Sequence, residues 1–191
     1  DYEIIDYCLK NNLIMESLPY HNVVFIGYDD QQKARYAAYR ATNDSRIMGD
    51  CSGSKKDYSF RLLGSNKNEI HLFESAIDLL SYATLYKLSG GNWKELTLIS
   101  LAGVYSPTRD IGNSKVPAAL KNYLEDNPQT KRITLHLDND MPGRMATKAL
   151  QLVLPTHLEV VDDPPSYGKD VNDFLCFKLN IKRNKERKYE R

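Results

Sequence analysis

From Glu69 onward, the sequence alternates short apolar runs with longer amphipathic segments, and this alternation constrains the fold most. Four runs have the length and composition of buried strands: IHLF, LTLISLAG, RITLHL and HLEVVD. The segments between them, such as SAIDLLSYATLYKL and PGRMATKALQLVL, space their apolar residues as helices do. Strands that alternate with helices at this spacing indicate βαβ units, so we predict an α/β fold with a mainly parallel four-stranded sheet and flanking helices.

The first third of the chain has a different texture. Residues 2–13 place apolar side chains at helical intervals, and residues 22–42 indicate two strands around a turn at Asp29–Gln32, which predicts a β-hairpin. YSFRLL is a further candidate strand, and the turn-forming segment GSNKN after it is the best domain boundary. We predict three units: a small N-terminal α+β domain at 1–66, an α/β domain at 67–180, and a basic tail or linker at 181–191.

The net charge changes along the chain near the same boundaries as the predicted units. The net charge of the chain is +1, but residues 1–68 are neutral overall, residues 69–180 carry −3 and residues 181–191 carry +4. The acidic surplus therefore falls in the predicted parallel-sheet domain. The basic tail suits contact with a phosphate backbone, and it equally suits a solvated helix end or a linker to another domain.

Composition and cysteine use exclude several classes of protein. No apolar run approaches about 18 residues, so we expect no membrane-spanning helix, and the acidic opening DYEIIDYCLK does not resemble a signal peptide. The cysteines are Cys8, Cys51 and Cys176, and their wide spacing without a CxxC pair argues against a zinc ribbon or a disulfide scaffold. Reduced thiols favour a cytoplasmic location.

Acidic residues follow the predicted strands where these end. Glu74 comes directly after the first strand, with Asp78 one helical turn further on, and Asp138 and Asp140 come directly after the third. Asp170 lies in the loop after the fourth strand. The carboxyl ends of parallel strands meet at one edge of a sheet, and carboxylates held so close repel one another unless a cation neutralises them. Oxygen ligands without His or Cys predict a hard ion, Mg²⁺, with Mn²⁺ as a substitute.

Each carboxylate also has an interpretation without a metal. Asp140 and Asp170 each precede a predicted helix and suit its N-cap, and Glu74 suits the first turn of a helix, where the helix dipole favours an acid. Any one of them could be explained in this way. Their shared edge favours the metal site. His71 and His136 lie inside strands between apolar residues, and we expect them to be hydrogen-bonded core residues.

The segments HLFESAID, SLAG and DNDMPG resemble the Toprim domain of bacterial primases, topoisomerases and some nucleases. That family has a Glu after its first strand, a Gly-containing turn after its second and a DxDxxG after its third. GKDVNDF resembles the later acidic stretch of bacterial primases, with Asp170 at the matching position, and Asp78 matches an acid of the primase branch. The resemblance covers roughly residues 69–178 and implies a Rossmann-like sheet. Ser75 stands where the family usually has Gly.

The N-terminal part is similar to an uncharacterised domain that often precedes Toprim in proteins of bacterial mobile elements. The resemblance implies a Mg²⁺-dependent nucleic-acid enzyme, with primase-like nucleotidyl transfer in the replication or transfer of a mobile element. A nuclease and a non-catalytic nucleic-acid-binding module are the alternatives. The implied partners are DNA or RNA, nucleotides, and helicase-type, relaxase-type or other domains of a longer protein.

The resemblance also implies roles for individual residues. Glu74, Asp138 and Asp140 are the implied catalytic residues and metal ligands, and Asp78 and Asp170 are further candidate ligands. Glu74 is alternatively a general acid or base. Lys169 and Arg144 are candidate phosphate contacts, and both could equally be surface cations.

Overall fold

Two β-sheets, one antiparallel and one mainly parallel, organise the protein. The computed structural model describes residues 1–43, 45, 47–103, 105–108 and 110–181. The predicted basic tail falls outside the described residues except for its first residue, Ile181.

The N-terminal sheet is an antiparallel meander that follows a short helix. Asp1 caps this helix by accepting a hydrogen bond from the backbone N–H of Glu3 (3.0 Å). The strands of the sheet lie in chain order, β1 to β4, and β2 and β3 form the predicted hairpin. The bounds are α1 Tyr2–Lys10, β1 Ile14–Glu16, β2 Val23–Tyr28, β3 Ala34–Arg40 and β4 Met48–Asp50.

The second sheet has five strands in the order β5-β7-β6-β8-β9. Strands β7, β6, β8 and β9 are mutually parallel, which confirms the predicted four-stranded parallel sheet, and β5 pairs antiparallel with β7 at one edge. The bounds are β5 Arg61–Leu62, β6 Glu69–Phe73, β7 Thr97–Ser100, β8 Arg132–Leu135 and β9 Glu159–Asp162.

Helices connect the parallel strands and cover the sheet. Their bounds are α2 Ala76–Leu88, α3 Ala118–Asp126, α4 Met141–Val153 and α5 Val171–Lys178. Apolar residues of β6, β7 and β8 pack with α3 and α4 in one buried cluster. Within the described part of the chain, no helix is long and apolar enough to cross a membrane.

The strand at Arg61–Leu62 lies close to the predicted domain boundary. The sequence assigned it to the N-terminal domain, but it completes the edge of the parallel sheet. The reason is burial: Phe60 and Leu62 are almost fully buried in an apolar cluster that contains Ile4 from α1 and Phe73 from β6. Because the two predicted domains share this cluster, the division at residue 66 stays a prediction.

Candidate metal centre

Two buried carboxylates lie at the carboxyl edge of the parallel sheet, where the neighbouring strands β6 and β8 end. Glu74 follows β6 directly and is 6% exposed, and Asp138 follows the end of β8 and is 9% exposed. The backbone N–H of Asp138 donates to Oε1 of Glu74 (3.2 Å). The parallel register therefore brings together two acids that are 64 residues apart in the sequence.

Burial at this position makes both carboxyl groups weaker acids. Burial, and then the negative charge of Asp138, raise the pKa of Glu74 to about 7. Burial also raises the pKa of Asp138, although the ammonium of Lys169 opposes that shift. Carboxyl groups with raised pKa values gain most from a cation, because the cation offsets the lost hydration and the mutual repulsion.

Asp140 is both a helix cap and a member of the acidic group. Its Oδ1 accepts from the backbone N–H of Gly143 (3.0 Å) at the start of α4, and this bond lowers the pKa of Asp140. Gly143 is required by close approach, since a Cβ there would lie 2.1 Å from the carbonyl oxygen of Asp138. The DxDxxG spacing thus folds the start of α4 tightly against the end of β8.

The ammonium of Lys169 lies between the two aspartates of this motif. Its Nζ is 2.8 Å from Oδ2 of Asp138 and 3.2 Å from Oδ2 of Asp140. These ion pairs raise the pKa of Lys169. The backbone N–H of Asn139 donates to the carbonyl of Lys169 (2.6 Å), which ties the two loops together. The aspartate pair therefore already binds a cation, supplied by the chain itself.

Asp78 is buried at the same edge, but its oxygens are engaged by two helix starts. Oδ2 accepts from the hydroxyl of Ser75, the N-cap residue of α2, and Oδ1 accepts from the backbone N–H of Asn172 (3.2 Å) in α5. Burial raises the pKa of Asp78 to about 6. The S-x-x-D spacing of Ser75 and Asp78 is a capping signal that the sequence interpretation missed.

Asp170 caps α5, as its position before the helix allows. Its Oδ1 accepts from the backbone N–H of Asp173 (2.6 Å). The negative charge of Asp170 also contributes to the raised pKa values of Asp78 and Asp138. Asp138 therefore lies within electrostatic reach of the other four predicted acids.

Arg144 stabilises the backbone next to the site through hydrogen bonds from its guanidinium. Its guanidinium donates to both carboxylate oxygens of Asp162 in β9 (2.8 and 2.9 Å) and to the backbone carbonyls of Leu137 (2.9 Å) and Asp138 (3.2 Å). These bonds fix the turn that carries Asp138. The predicted phosphate contact of Arg144 stays a prediction, and the contacts present are structural.

The fit of a metal ion depends on displacing Lys169. Among the described residues, no three carboxylate, imidazole or thiolate groups already surround one metal position. The donor chemistry nevertheless suits a hard divalent cation, because Glu74, Asp138 and Asp140 offer oxygen atoms only, at a position that attracts positive charge. These three would hold Mg²⁺ in place of the ammonium. The wider set with Asp78 and Asp170 stays a prediction.

Comparison with known proteins agrees with this fold. Residues 71–175 match the family described as Toprim-like, and residues 1–66 match a family described as a protein of unknown function (DUF3991). The primase fragment of the bacteriophage T7 primase-helicase protein is similar in structure, with a TM-score of 0.62 and 20% identity over 91% of this chain and 64% of that chain. The catalytic core of Escherichia coli primase has a TM-score of 0.53 and 14% identity over 93% and 57%. At these identities the likeness concerns the fold.

A sequence relative matches this chain over part of a longer sequence. The uncharacterized protein pXO2-78 of Bacillus anthracis is 29% identical over 164 residues, which cover 78% of this chain and 43% of the relative. This chain therefore spans less than half the length of that relative. The family match covers more than half of the chain and includes Glu74, Asp138, Asp140 and Asp170. The chain belongs to the Toprim-like family.

Proposed function

We propose that this chain is a Mg²⁺-dependent nucleic-acid enzyme domain that performs primase-like nucleotidyl transfer. One observation carries the proposal: at the carboxyl edge of the parallel sheet, Glu74 accepts from the backbone N–H of Asp138, and Asp138 and Asp140 share the ammonium of Lys169. The fold similarity to primase fragments supports the same reaction class. Mn²⁺ is the expected substitute for Mg²⁺.

The chain's own residues have distinct roles in this proposal. A bound divalent ion would neutralise phosphate oxygens and assist in-line displacement at phosphorus. Asp138 and Asp140 hold the ion, and Glu74 completes its ligands or accepts the proton of the attacking hydroxyl, a role suited to a carboxyl group with a pKa of about 7. Lys169, released from the aspartates, is placed to contact a phosphate.

Two alternatives use the same residues. In a Toprim-type nuclease, water would replace the 3′-hydroxyl as the nucleophile, with Glu74 as general acid or base. In a non-catalytic nucleic-acid-binding module, the fold would act as a scaffold, and the retention of all three acids argues against this. A template-extension assay beside a phosphodiester-cleavage assay separates the three possibilities.

The wider setting of the domain is also proposed. We infer that the partners are DNA or RNA and nucleotides, and that helicase-type, relaxase-type or other domains of a longer protein of a mobile element accompany it. We propose a cytoplasmic location, consistent with three free cysteines. The N-terminal unit at 1–66 and the Toprim-like unit at 67–180 then act as two parts of one catalytic module.

Titration with Mn²⁺ tests the metal site directly, with binding followed by the loss of the free-ion signal in electron paramagnetic resonance. The unaltered chain is expected to bind Mn²⁺, and Mg²⁺ should compete. A chain with both Asp138→Asn and Asp140→Asn should lose this binding while it keeps its helix content. Equal Mn²⁺ binding by the double variant would refute the proposed site.

A further inference from the structure

Asp78 links the starts of helices α2 and α5. Its side chain is buried, with 7% of the residue exposed. Oδ1 accepts from the backbone N–H of Asn172 (3.2 Å) in the first turn of α5, and Oδ2 accepts from the hydroxyl of Ser75, the N-cap residue of α2. Both carboxylate oxygens of Asp78 therefore have protein donors, and a metal ion would have to compete with these donors.

Ser75 fixes the orientation of the Asp78 carboxylate. Oγ of Ser75 accepts from the backbone N–H of Asp78 (3.2 Å), and the same hydroxyl donates to the Asp78 side chain. Ser75 stands where the Toprim pattern has Gly, which offers no hydroxyl. The bond that holds Oδ2 of Asp78 is therefore a feature of this chain.

The first turn of α5 in turn holds the loop that carries Lys169. Asp173, which follows Asn172, accepts from the backbone N–H of Lys169 through Oδ2 (2.9 Å). Gly168 permits this close approach: its φ is +80°, and a Cβ there would lie 2.4 Å from Cβ of Asp173. The position of Lys169 therefore depends on where α5 begins.

Lys169 connects this loop to the candidate metal centre. Its carbonyl accepts from the backbone N–H of Asn139 (2.6 Å), and its ammonium lies between Asp138 and Asp140. A continuous series of contacts thus runs from Asp78, through the start of α5, to the aspartate pair.

We propose that Asp78 is a positioning residue and not a metal ligand: it holds the start of α5 against α2 and thereby keeps Lys169 at Asp138 and Asp140. The effect of this lysine on the metal rests on the proposed function, whereas the link between the helices needs no metal. A ligand needs the charge of a carboxylate, but the link needs only an acceptor oxygen. Asp78→Asn separates the two roles, because the amide keeps one such oxygen and loses the charge.

Hydrogen exchange of the Asn139 amide in chelator tests the link without metal, by NMR on the ¹⁵N-labelled chain. Asp78→Ala should speed this exchange about tenfold or more, since the start of α5 loses a charged acceptor. Asp78→Asn should stay within about threefold of the parent, because Asn172 keeps its acceptor. Ser81→Ala is the matched control: it removes a second α2–α5 bond, from Oγ of Ser81 to Oδ1 of Asn172 (3.2 Å), and should change the exchange less than about twofold.

Ser75→Gly guards against misfolding of Asp78→Ala. Glycine is tolerated at an N-cap, so α2 should persist, while the Asp78 carboxylate loses the hydroxyl that orients it. Exchange of the Asn139 amide should then be about fivefold faster, the size of one hydrogen bond. If Asp78→Ala does not fold, Ser75→Gly decides alone. Unchanged exchange in every folded variant of this pair overturns the link.

Mn²⁺ affinity distinguishes a positioning residue from a ligand. Asp78→Asn should weaken Mn²⁺ binding by at most about tenfold, because its charge acts from a distance, against about 100-fold or more for Asp138→Asn. An equal loss in the two variants would make Asp78 a ligand and overturn the proposal.

Combining variants tests whether Asp78 acts through Lys169. Lys169→Met should tighten Mn²⁺ binding about fivefold in the parent but less than about twofold in Asp78→Ala, where the lysine is already released. An equal gain in both backgrounds overturns the positioning role. If the unaltered chain fails to bind Mn²⁺ while Asn139 exchange responds as expected, the proposed function is wrong and the link between α2 and α5 stands.

Discussion

Two polar pairs join the chain segments of strands β6 and β8, one within the sheet and one at its carboxyl edge. The two pairs differ in how their polar groups are neutralised. Inside the sheet, Nδ1 of His71 lies 2.9 Å from Nε2 of His136, whose Nδ1 lies 2.9 Å from the carbonyl oxygen of Asp163. Since that carbonyl can only accept, His136 donates through Nδ1 and accepts from His71. At the edge of the sheet, Glu74 and Asp138 oppose each other as like charges. One pair is a completed hydrogen-bond chain, and the other is a pair of acids whose charge is offset by the ammonium of Lys169 at Asp138.

Burial acts on both pairs but with different consequences. It lowers the pKa of His71 and lowers that of His136 to about 3, so both imidazoles stay neutral and fit an apolar interior. It raises the pKa of Glu74 to about 7, so that carboxyl group stays half-charged near neutral pH. Neutral, hydrogen-bonded imidazoles are compatible with an apolar interior, whereas neighbouring buried carboxylates are stabilised by a nearby cation.

The largest expected effect concerns catalysis. Asp138→Asn should reduce any Mg²⁺-dependent extension or cleavage by at least about 100-fold, because it removes charge where the metal and the phosphate meet. His136→Gln, two residues earlier on the same strand segment, should leave the activity per folded molecule within about twofold, as it does not reach the edge. Rates are compared at equal concentrations of folded protein. A comparable loss in both variants would erase the distinction between the pairs.

The next effect concerns stability. His136→Ala should lower the free energy of unfolding by about 3 kcal/mol, because it leaves a cavity and removes the partner of His71 and of the Asp163 carbonyl. His157→Ala is the matched control: His157 is exposed, and its loss should cost less than about 0.5 kcal/mol. Urea denaturation measures both. If His136→Ala is as mild as the control, the histidine pair is not a structural unit.

A third effect concerns how stability depends on pH. Unlike the histidine pair, the charged form of Glu74 is expected to destabilise the fold. The pKa of this carboxyl group is about 7 in the folded chain against an ordinary value of 4.5. The folded state therefore binds the proton more tightly, and the burial penalty is absent below pH 4.5 and fully present above pH 7. Without metal, Glu74 should thus contribute an increase of about 3 kcal/mol in stability as the pH falls through this window.

Glu74→Gln isolates this contribution from those of the other titrating groups. The variant should be more stable than the parent at pH 7.5 in chelator, and the difference should shrink as the pH falls toward 5. Saturating Mg²⁺ should reduce or reverse the difference, because the parent keeps all three proposed ligands and gains more from the ion than the variant does. Thermal unfolding at several pH values measures the difference. A constant difference across the range would show that Glu74 carries no burial penalty.

The comparison also explains how far the sequence could predict this molecule. The parallel sheet was predictable, since apolar strands such as RITLHL alternate with helices at regular spacing. The convergence of Glu74 and Asp138 followed, because the ends of parallel strands share an edge. The role of His136 was predictable in kind, as a partnered core residue, but its partner was not, since a hydrogen bond across 65 residues leaves no local pattern.

The sequence could not predict the individual hydrogen-bond, ion-pair and strand-pairing partners. Arg144 was a candidate phosphate contact or a surface cation, and its contacts with Asp162 in β9 and with two backbone carbonyls were not predicted. The strand in YSFRLL was predicted, but its antiparallel pairing with β7 of the parallel sheet was not. Both differences arise from tertiary pairing, which local propensity does not encode.

The smallest expected effect concerns Lys169, the cation that the sequence did not place between the aspartates. Because its ammonium competes with metal for Asp138 and Asp140, Lys169→Met should tighten Mn²⁺ binding by about fivefold, a size set by the partial exposure of these ion pairs. Lys148→Met, an exposed change on α4, is the control and should leave the affinity unchanged. Weaker Mn²⁺ binding in Lys169→Met would mean that the ammonium organises the carboxylates for the ion instead of competing with it.

The same variant should slow any phosphoryl transfer, since the lysine that leaves the aspartates would then be missing from the phosphate. Tighter metal binding together with a slower reaction would therefore indicate that Lys169 neutralises the aspartates before the metal ion binds and contacts the substrate phosphate afterwards.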